Sequence, residues 1–281
     1  MNLKLILKTL FLALAISCLN LRTSDAKPKP VMDDKPKLTA EEILNKHLEA
    51  IGGKEKLAQI KTRIAIGTAK KDDELPAKMA IMSETPNRVA GMYIFERLNW
   101  HLFYDGAGAT VRPIVAARDL APFFDKYREI IASGLMYNDI SLYSLLMAGN
   151  AAQLNAEAKG TKKVNGHLAY IVDIKPNKKG SYRLFFDVDT FMWVRTEFGK
   201  VRTTKPIGQF TNEVVDRGQD DSEVDFYFEA SDFREVGGVK LPFKFVQVIT
   251  APLARRAQAT TLVGTITEYR HNVPIAAEMF K

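Results

Sequence analysis

The side chains that most often catalyse reactions or bind metals are sparsely placed in this chain of 281 residues. Its histidines form no His-x-x-His or His-Glu-x-x-His pair, and they lie at His47, His101, His167 and His271. A single cysteine, Cys18, leaves no second thiolate for a zinc site. The sequence also lacks the Gly-x-Ser-x-Gly nucleophile elbow and the Walker-type phosphate loop. We therefore expect a protein that is not an enzyme and that uses no metal ion or cofactor.

The acidic residues do not suggest a metal site either. The densest group lies within residues 220–225, and it lacks the glycine and the distal glutamate of an EF-hand loop. Asp187 and Asp189 fall on a predicted turn, where aspartate is expected because its side chain bonds to the nearby backbone. A solvated loop and a turn explain these carboxylates. Catalytic groups meet in space and not in sequence, so a hydrolase is kept as one alternative function.

The N-terminal segment predicts export. Lys4 and Lys8 precede an apolar run over residues 9–16, which is too short to span a bilayer as a permanent helix. Residues 24–26 supply small side chains for signal peptidase, so we predict a signal peptide over residues 1–26.

A second processing route is also open. Residues 15–18 resemble a lipobox, in which Cys18 would be acylated and become the mature N-terminus. Residues 27–37 are rich in proline and charge and predict a flexible linker. Both routes predict a periplasmic domain, either soluble or tethered to a membrane by a lipid on Cys18.

The rest of the chain, residues 38–281, predicts one mainly β domain that opens with helices. Thr39 and Glu42 form a capping-box pattern, and Gly52-Gly53 predicts the end of the first helix. A short second helix is expected over residues 54–60. The apolar face of the first helix comprises Ile43, Leu44, Leu48 and Ile51.

From residue 61 the apolar period changes to two, which predicts about ten antiparallel strands. In the strand that starts at His167, the set Leu168, Tyr170, Val172 and Ile174 is expected to face inward. A helical spacing over residues 118–149 predicts a helical insertion that plugs or caps the sheet. A sheet of about ten strands must curl, so we expect a half-open curved β-barrel.

Charge and aromatic content narrow the choice of partner. The formal net charge of +7 is spread along the chain without a basic stripe, so nucleic acid is not expected. A concave face rich in aromatic residues cannot stay exposed to water without risk of aggregation. The insertion, a partner protein or a ligand must therefore cover it.

Several segments resemble the LolA-like superfamily of bacterial outer-membrane lipoprotein-sorting proteins. They are residues 85–88 (TPNR) with 103–113 (FYDGAGATVRP), residues 185–190 (FFDVDT) with Val194-Arg195, and residues 232–242 (DFREVGGVKLP). The resemblance implies a half-open antiparallel barrel whose hydrophobic cavity is closed by helices. It departs from the carrier of that superfamily at Thr85, because the carrier has an arginine beside this turn and here the nearest one is Arg88.

The resemblance also implies a function, which is the binding of lipid or lipoprotein acyl chains by a carrier or receptor in outer-membrane lipoprotein or lipid trafficking. A membrane-bound partner protein is compatible with that role. The alternative is a structural or sensory envelope module that binds a protein partner and fills its cavity with its own side chains. Ligand contacts are expected at Phe123, Phe124, Leu142, Leu145 and Leu146 in the insertion and at Tyr170, Val172, Phe185, Trp193, Phe226, Phe228 and Phe245 on the sheet.

Overall fold

The structure is a computed structural model that describes most of the predicted domain. The described residues are 38–71, 75–86, 88–94, 99–106, 109–112, 154–177, 180–203, 222–253 and 256–281. The predicted signal peptide, the linker and the helical insertion at 118–149 lie outside these residues and stay predictions.

Two helices open the domain, α1 (Ala40–Ala50) and α2 (Lys54–Ala58). The capping box is confirmed, because the Thr39 amide donates to Glu42 Oε2 at 2.7 Å and the Glu42 amide donates to Thr39 Oγ1 at 3.2 Å. The backbone amide of Thr39 holds the pKa of the Glu42 carboxyl below its ordinary value. The predicted apolar face is buried, and Gly52 leaves the helix with a φ of 131°.

Twelve strands form one antiparallel sheet, in the order β5-β4-β3-β2-β1-β12-β11-β10-β9-β8-β7-β6. Consecutive strands pair from β1 to β5 and from β6 to β12. The first strand, β1, also pairs with the last, β12. The strands are β1 (Thr62–Lys71), β2 (Ala77–Glu84), β3 (Arg88–Ile94), β4 (Asn99–Tyr104), β5 (Ala109–Arg112), β6 (Glu157–Val164), β7 (His167–Asn177), β8 (Gly180–Asp187), β9 (Trp193–Thr203), β10 (Ser222–Val236), β11 (Val239–Leu253) and β12 (Arg256–His271).

The sheet has two strands more than the sequence pattern predicted, β5 and β6. β6 escapes a pattern search because it is polar and mostly exposed, with only Val164 buried. The β6 edge contains a bulge between Ala158 and Thr161, where Gly160 has a φ of 94°. Lysines and a bulge on an edge strand disfavour pairing with another chain.

The sheet is open between β5 and β6, which are its two edge strands. Residues 113–156 connect these two strands along the chain. The predicted helical insertion therefore falls in the one connection that runs from one sheet edge to the other.

Apolar residues are buried on both faces of the sheet. The inner cluster, on what we call the inner face, joins α1 to residues of β1–β4 and β7–β12, among them Ala65, Tyr93 and Leu241. Two outer clusters lie on the opposite face. One surrounds Phe103 and Phe280 of the C-terminal 3₁₀ helix (Ala277–Phe280), and the other comprises Val164, Ala169, Ile171 and Phe185.

Two double-glycine turns meet where α1 ends against the β10–β11 hairpin. A Cβ added to Gly52 would lie 2.6 Å from the Gly238 carbonyl oxygen and 3.1 Å from the Val239 Cα. The Lys240 amide donates to the Ile51 carbonyl at 2.9 Å in the same place. Only glycine permits this close approach of the two backbones.

We expect Gly52→Ala to lower the free energy of unfolding by about 2–3 kcal/mol, through backbone strain and overlap with Gly238. Gly53→Ala is the matched control, because Gly53 also has a positive φ (87°) but its nearest neighbour is Glu55 Oε2 at 3.5 Å. Strain alone should cost the control about 1 kcal/mol. Urea unfolding measures both variants, and equal losses would contradict the backbone contact.

Candidate functional site

The predicted sheet lining largely comes together on the inner face. Six of the seven described lining residues belong to the inner cluster, and they are Tyr170, Val172, Trp193, Phe226, Phe228 and Phe245. The predicted phase of β7 is confirmed, since Ile174 is in this cluster and Leu168 packs against it. The five lining residues of the insertion, Phe123, Phe124, Leu142, Leu145 and Leu146, and the lipidation candidate Cys18 lie outside the described residues.

Phe185 lies on the outer face, one residue out of phase with the expected lining. Leu184 and Phe186 take the inner positions on β8, and Phe185 packs with Ile171 and its neighbours in the outer cluster. The sequence signal was ambiguous here because three consecutive large apolar residues, 184–186, are all fully buried. A strand that is buried on both faces shows no period of two.

Three aromatic rings form a row across β9, β10 and β11, which we call the aromatic row. The Trp193 and Phe228 rings stack with centroids 5.5 Å apart, and the Phe228 and Phe245 rings stack at 5.3 Å. The Trp193 indole Nε1 donates to Thr196 Oγ1 at 2.8 Å and to the Arg195 carbonyl at 3.0 Å. The indole is thus fixed in orientation, and its polar atom is satisfied.

The aromatic row ends over a glycine. A Cβ on Gly264 of β12 would lie 2.0 Å from Phe245 Cε1, so the ring occupies the space that a side chain at 264 would need. The rings of Trp193, Phe228 and Phe245 are 2–3% exposed. In this state the aromatic row is covered, and a ligand reaches it only if part of the cover moves.

Helix α1 belongs to the inner cluster, and His47 fixes it to the β8–β9 turn. The ring Nδ1 lies 2.9 Å from the Phe191 carbonyl, which can only accept, so Nδ1 carries the proton. The ring packs on Phe186 with centroids 4.9 Å apart. His47 Nε2 is buried and has no hydrogen-bond partner among the described residues.

Burial lowers the pKa of His47 from 6.5 to about 4, and the bond to Phe191 opposes this only in part. No histidine motif in the sequence predicts a role for His47. One signal was available, because position 47 falls three and four residues after Leu44 and Ile43 and so lies on the apolar face of α1.

The β8–β9 turn that receives His47 is built by one carboxylate. Asp187 Oδ1 accepts from the Asp189 amide, the Thr190 amide and the Thr190 hydroxyl at 2.8–3.1 Å. Phe191 then adopts a φ of 55°, and its ring stacks on Tyr170 at 5.7 Å. The expectation that Asp187 serves a turn is confirmed.

The outer face opposite the aromatic row carries a charged network. Arg195 lies over the Tyr227 ring at 3.8 Å and forms ion pairs with Glu229 at 3.0 Å and with Glu197 at 3.2 Å. Burial, followed by the nearby Glu229 carboxylate, raises the pKa of the Tyr227 hydroxyl. These residues cover Phe185 and are separated from the inner face by the sheet.

The early Pro-Asn turn has its arginine on the outer face. Arg88 bonds to Glu84 at 2.8 Å and lies 5.2 Å from the centroid of the Phe280 ring. Within the described ranges, no group of three or more His, Cys, Asp or Glu side chains is placed to hold a metal ion. No helix in the same ranges is both long and apolar enough to cross a membrane.

We expect Gly264→Ala to lower the free energy of unfolding by about 2 kcal/mol, since the new methyl group overpacks the Phe245 ring. In a Phe245→Leu background the smaller side chain leaves room, and the same change should cost less than about 1 kcal/mol. Urea unfolding of the two single variants and the double variant measures this coupling. Equal costs of Gly264→Ala in both backgrounds would show that the ring does not fill this space.

Comparison with known proteins gives matches among solved structures only, since no protein-family model and no curated protein matches the chain. The LolA superfamily protein NE2245 from Nitrosomonas europaea is 12% identical, with 87% of this chain and 98% of that chain covered and a TM-score of 0.48. A putative outer membrane lipoprotein-sorting protein domain from Vibrio parahaemolyticus is 12% identical, with 85% and 95% covered and a TM-score of 0.45. A chain of the MucA/MucB complex of Pseudomonas aeruginosa is also 12% identical, with 84% of this chain and 99% of that chain covered and a TM-score of 0.22. The first of these structures belongs to the superfamily that the sequence segments resemble.

Proposed function

We propose that the chain binds lipid or lipoprotein acyl chains in the cell envelope without catalysing a reaction, as a carrier or receptor in lipoprotein or lipid trafficking. The observation that carries this proposal is the inner cluster, an apolar surface that is continuous across ten strands of an open sheet. Stacked rings without free polar atoms favour ligands recognised by their apolar surface and not by hydrogen bonds. Each methylene buried there contributes roughly 0.8 kcal/mol.

The cover must move for a chain to enter, because the aromatic row is 2–3% exposed. We propose that the insertion, with Phe123, Phe124, Leu142, Leu145 and Leu146, forms a lid over the opening between β5 and β6. The connection of residues 113–156 to both edge strands supports this position. Its apolar side chains would exchange contacts with the sheet for contacts with the acyl chain.

We further propose a periplasmic location, with residues 1–26 acting as the export signal. If Cys18 is acylated instead, cleavage falls before it, and residues 19–37 would join the lipid to the domain. The predicted linker within that stretch, residues 27–37, reaches about 40 Å when extended, which lets a tethered domain contact the membrane surface.

A second candidate function is favoured by the packing of the inner face. Phe245 fills the space over Gly264, and the six described lining residues on this face are at most 7% exposed. An inner face filled by its own side chains suits a structural or sensory module that binds a protein partner. The two candidates differ in whether a lipid can replace part of that packing.

Trp193 provides a fluorescence probe that separates the two candidates. The chain has two tryptophans, so Trp100→Phe leaves only Trp193 as an emitter in the aromatic row. We expect a phospholipid with brominated acyl chains to quench this variant, because bromine quenches only at close range, and the unbrominated lipid to leave its emission unquenched. The double variant Trp100→Phe/Trp193→Phe contains no tryptophan and gives the background emission.

Mass spectrometry of an organic extract from the purified periplasmic protein completes this test. Stoichiometric phospholipid or fatty acid, together with quenching of Trp193, supports the lipid-binding function. A clean extract after incubation with lipid vesicles, with no quenching of Trp193, would reject it and favour the protein-binding module. Phe280→Ala removes a buried ring of the outer cluster around Phe103 and leaves the inner face unchanged. This variant shows whether a general loss of stability alone alters lipid binding.

A further inference from the structure

We propose that His47 is a proton-sensitive latch, so that protonation of its ring releases helix α1 and uncovers the inner face. This inference rests on the proposed function in one respect, because it assigns the uncovered surface to ligand exchange. The latch itself depends only on the contacts of α1.

Helix α1 is fixed to the sheet by one hydrogen bond near each of two turns. His47 Nδ1 donates to the Phe191 carbonyl in the β8–β9 turn, and the Ile51 carbonyl accepts from the Lys240 amide in the β10–β11 turn, both at 2.9 Å. Among the described residues, the helix otherwise contacts the sheet through the apolar face that it contributes to the inner cluster and through Lys46, whose ammonium lies over the Phe191 ring. Of the two bonds, only the one made by His47 involves a titratable side chain, since the other joins two backbone groups.

A second proton on His47 has no place in the closed state. Nε2 is buried, lacks a partner among the described residues, and belongs to a ring packed on Phe186. Protonation would convert Nε2 into an unsatisfied donor and place a charge in an apolar cluster. Once α1 moves away, water can solvate the imidazolium.

The surrounding charged groups do not compensate that charge. On α1, the Lys46 ammonium lies over the Phe191 ring at 5.2 Å and adds a positive charge nearby, and Glu49 lies on an exposed position. On β8, Arg183 is bonded to Asp173 at 2.7 Å. The Asp187 carboxylate is engaged in the turn that also contains Asp189.

The sign of the pH response follows from the pKa of His47, which burial holds at about 4 in the closed state. The released ring regains its ordinary pKa, so the open state binds the proton more tightly and acid favours opening. Between pH 7.5 and 5.0 the open population should rise about thirtyfold. Below pH 4 both states are protonated and the rise levels off.

Hydrogen exchange of the α1 amides tests the latch without any lipid. After correction for the intrinsic exchange rate, we expect about thirtyfold less protection of α1 at pH 5.0 than at pH 7.5 in the wild-type protein. His47→Gln should remove this change, because its amide can still donate to Phe191 but does not titrate. His101→Gln is the matched control, since His101 contacts the Met279 carbonyl at 3.1 Å in the outer cluster, and this variant should keep the wild-type response.

Two results would overturn the latch, namely protection of α1 that is independent of pH in the wild-type protein, or an unchanged pH response in His47→Gln. The wild-type pH series needs no variant, so the test survives a failure of His47→Gln to fold. Quenching of Trp193 by brominated lipid is then measured at both pH values. Stronger quenching at pH 5.0 than at pH 7.5 links the latch to function. Lipid binding with pH-independent α1 protection rejects only the latch, whereas a pH-dependent α1 without lipid binding rejects only the proposed function.

Discussion

The structure depends on one constraint, which is that an open sheet of twelve strands must bury a continuous apolar face. A sheet closed into a barrel would hide that face by itself, but here β5 and β6 remain edges. Helix α1 supplies part of the cover, and its close seating explains why Gly52 meets the backbone of Gly238. Gly264 follows from the same constraint, since its missing side chain makes room for Phe245 on the inner face.

Local sequence rules predicted those elements whose signals come from a few adjacent residues. The capping box at Thr39, the glycine stop after α1 and the inward phase of β7 all follow from spacing alone, and the structure confirms them. β6 was missed because an exposed, lysine-rich edge strand is stabilised by its pairing with β7 and carries no apolar period. The lining residues of the insertion stay predictions, since they lie outside the described residues.

Burial on both faces limits what a sequence can say about a site on one of them. Phe185 and Phe186 are equally buried, yet one packs beneath Arg195 on the outer face and the other against His47 on the inner face. Hydrophobicity cannot separate two such positions, because the difference lies in the neighbours that tertiary pairing supplies. The role of His47 could not be predicted for a related reason. A lone histidine in an apolar pattern acquires its role from its contacts, here with Phe191 and Phe186, and only the fold provides these.

In the proposed function, a ligand must replace contacts that α1 already makes with the inner face. The free energy of burying α1 therefore has to be compared with that of burying the ligand. The four apolar residues of the α1 face, Ile43, Leu44, Leu48 and Ile51, contribute roughly 6–12 kcal/mol by burial. An acyl chain of about 14 methylenes would contribute roughly 11 kcal/mol on the same surface. Cover and ligand are therefore close to interchangeable in free energy, so a modest input can decide between them. In the proposed latch, a single proton on the buried imidazole of His47 is an input of that size, so the polar contact of α1 would decide the exchange although its apolar face is larger.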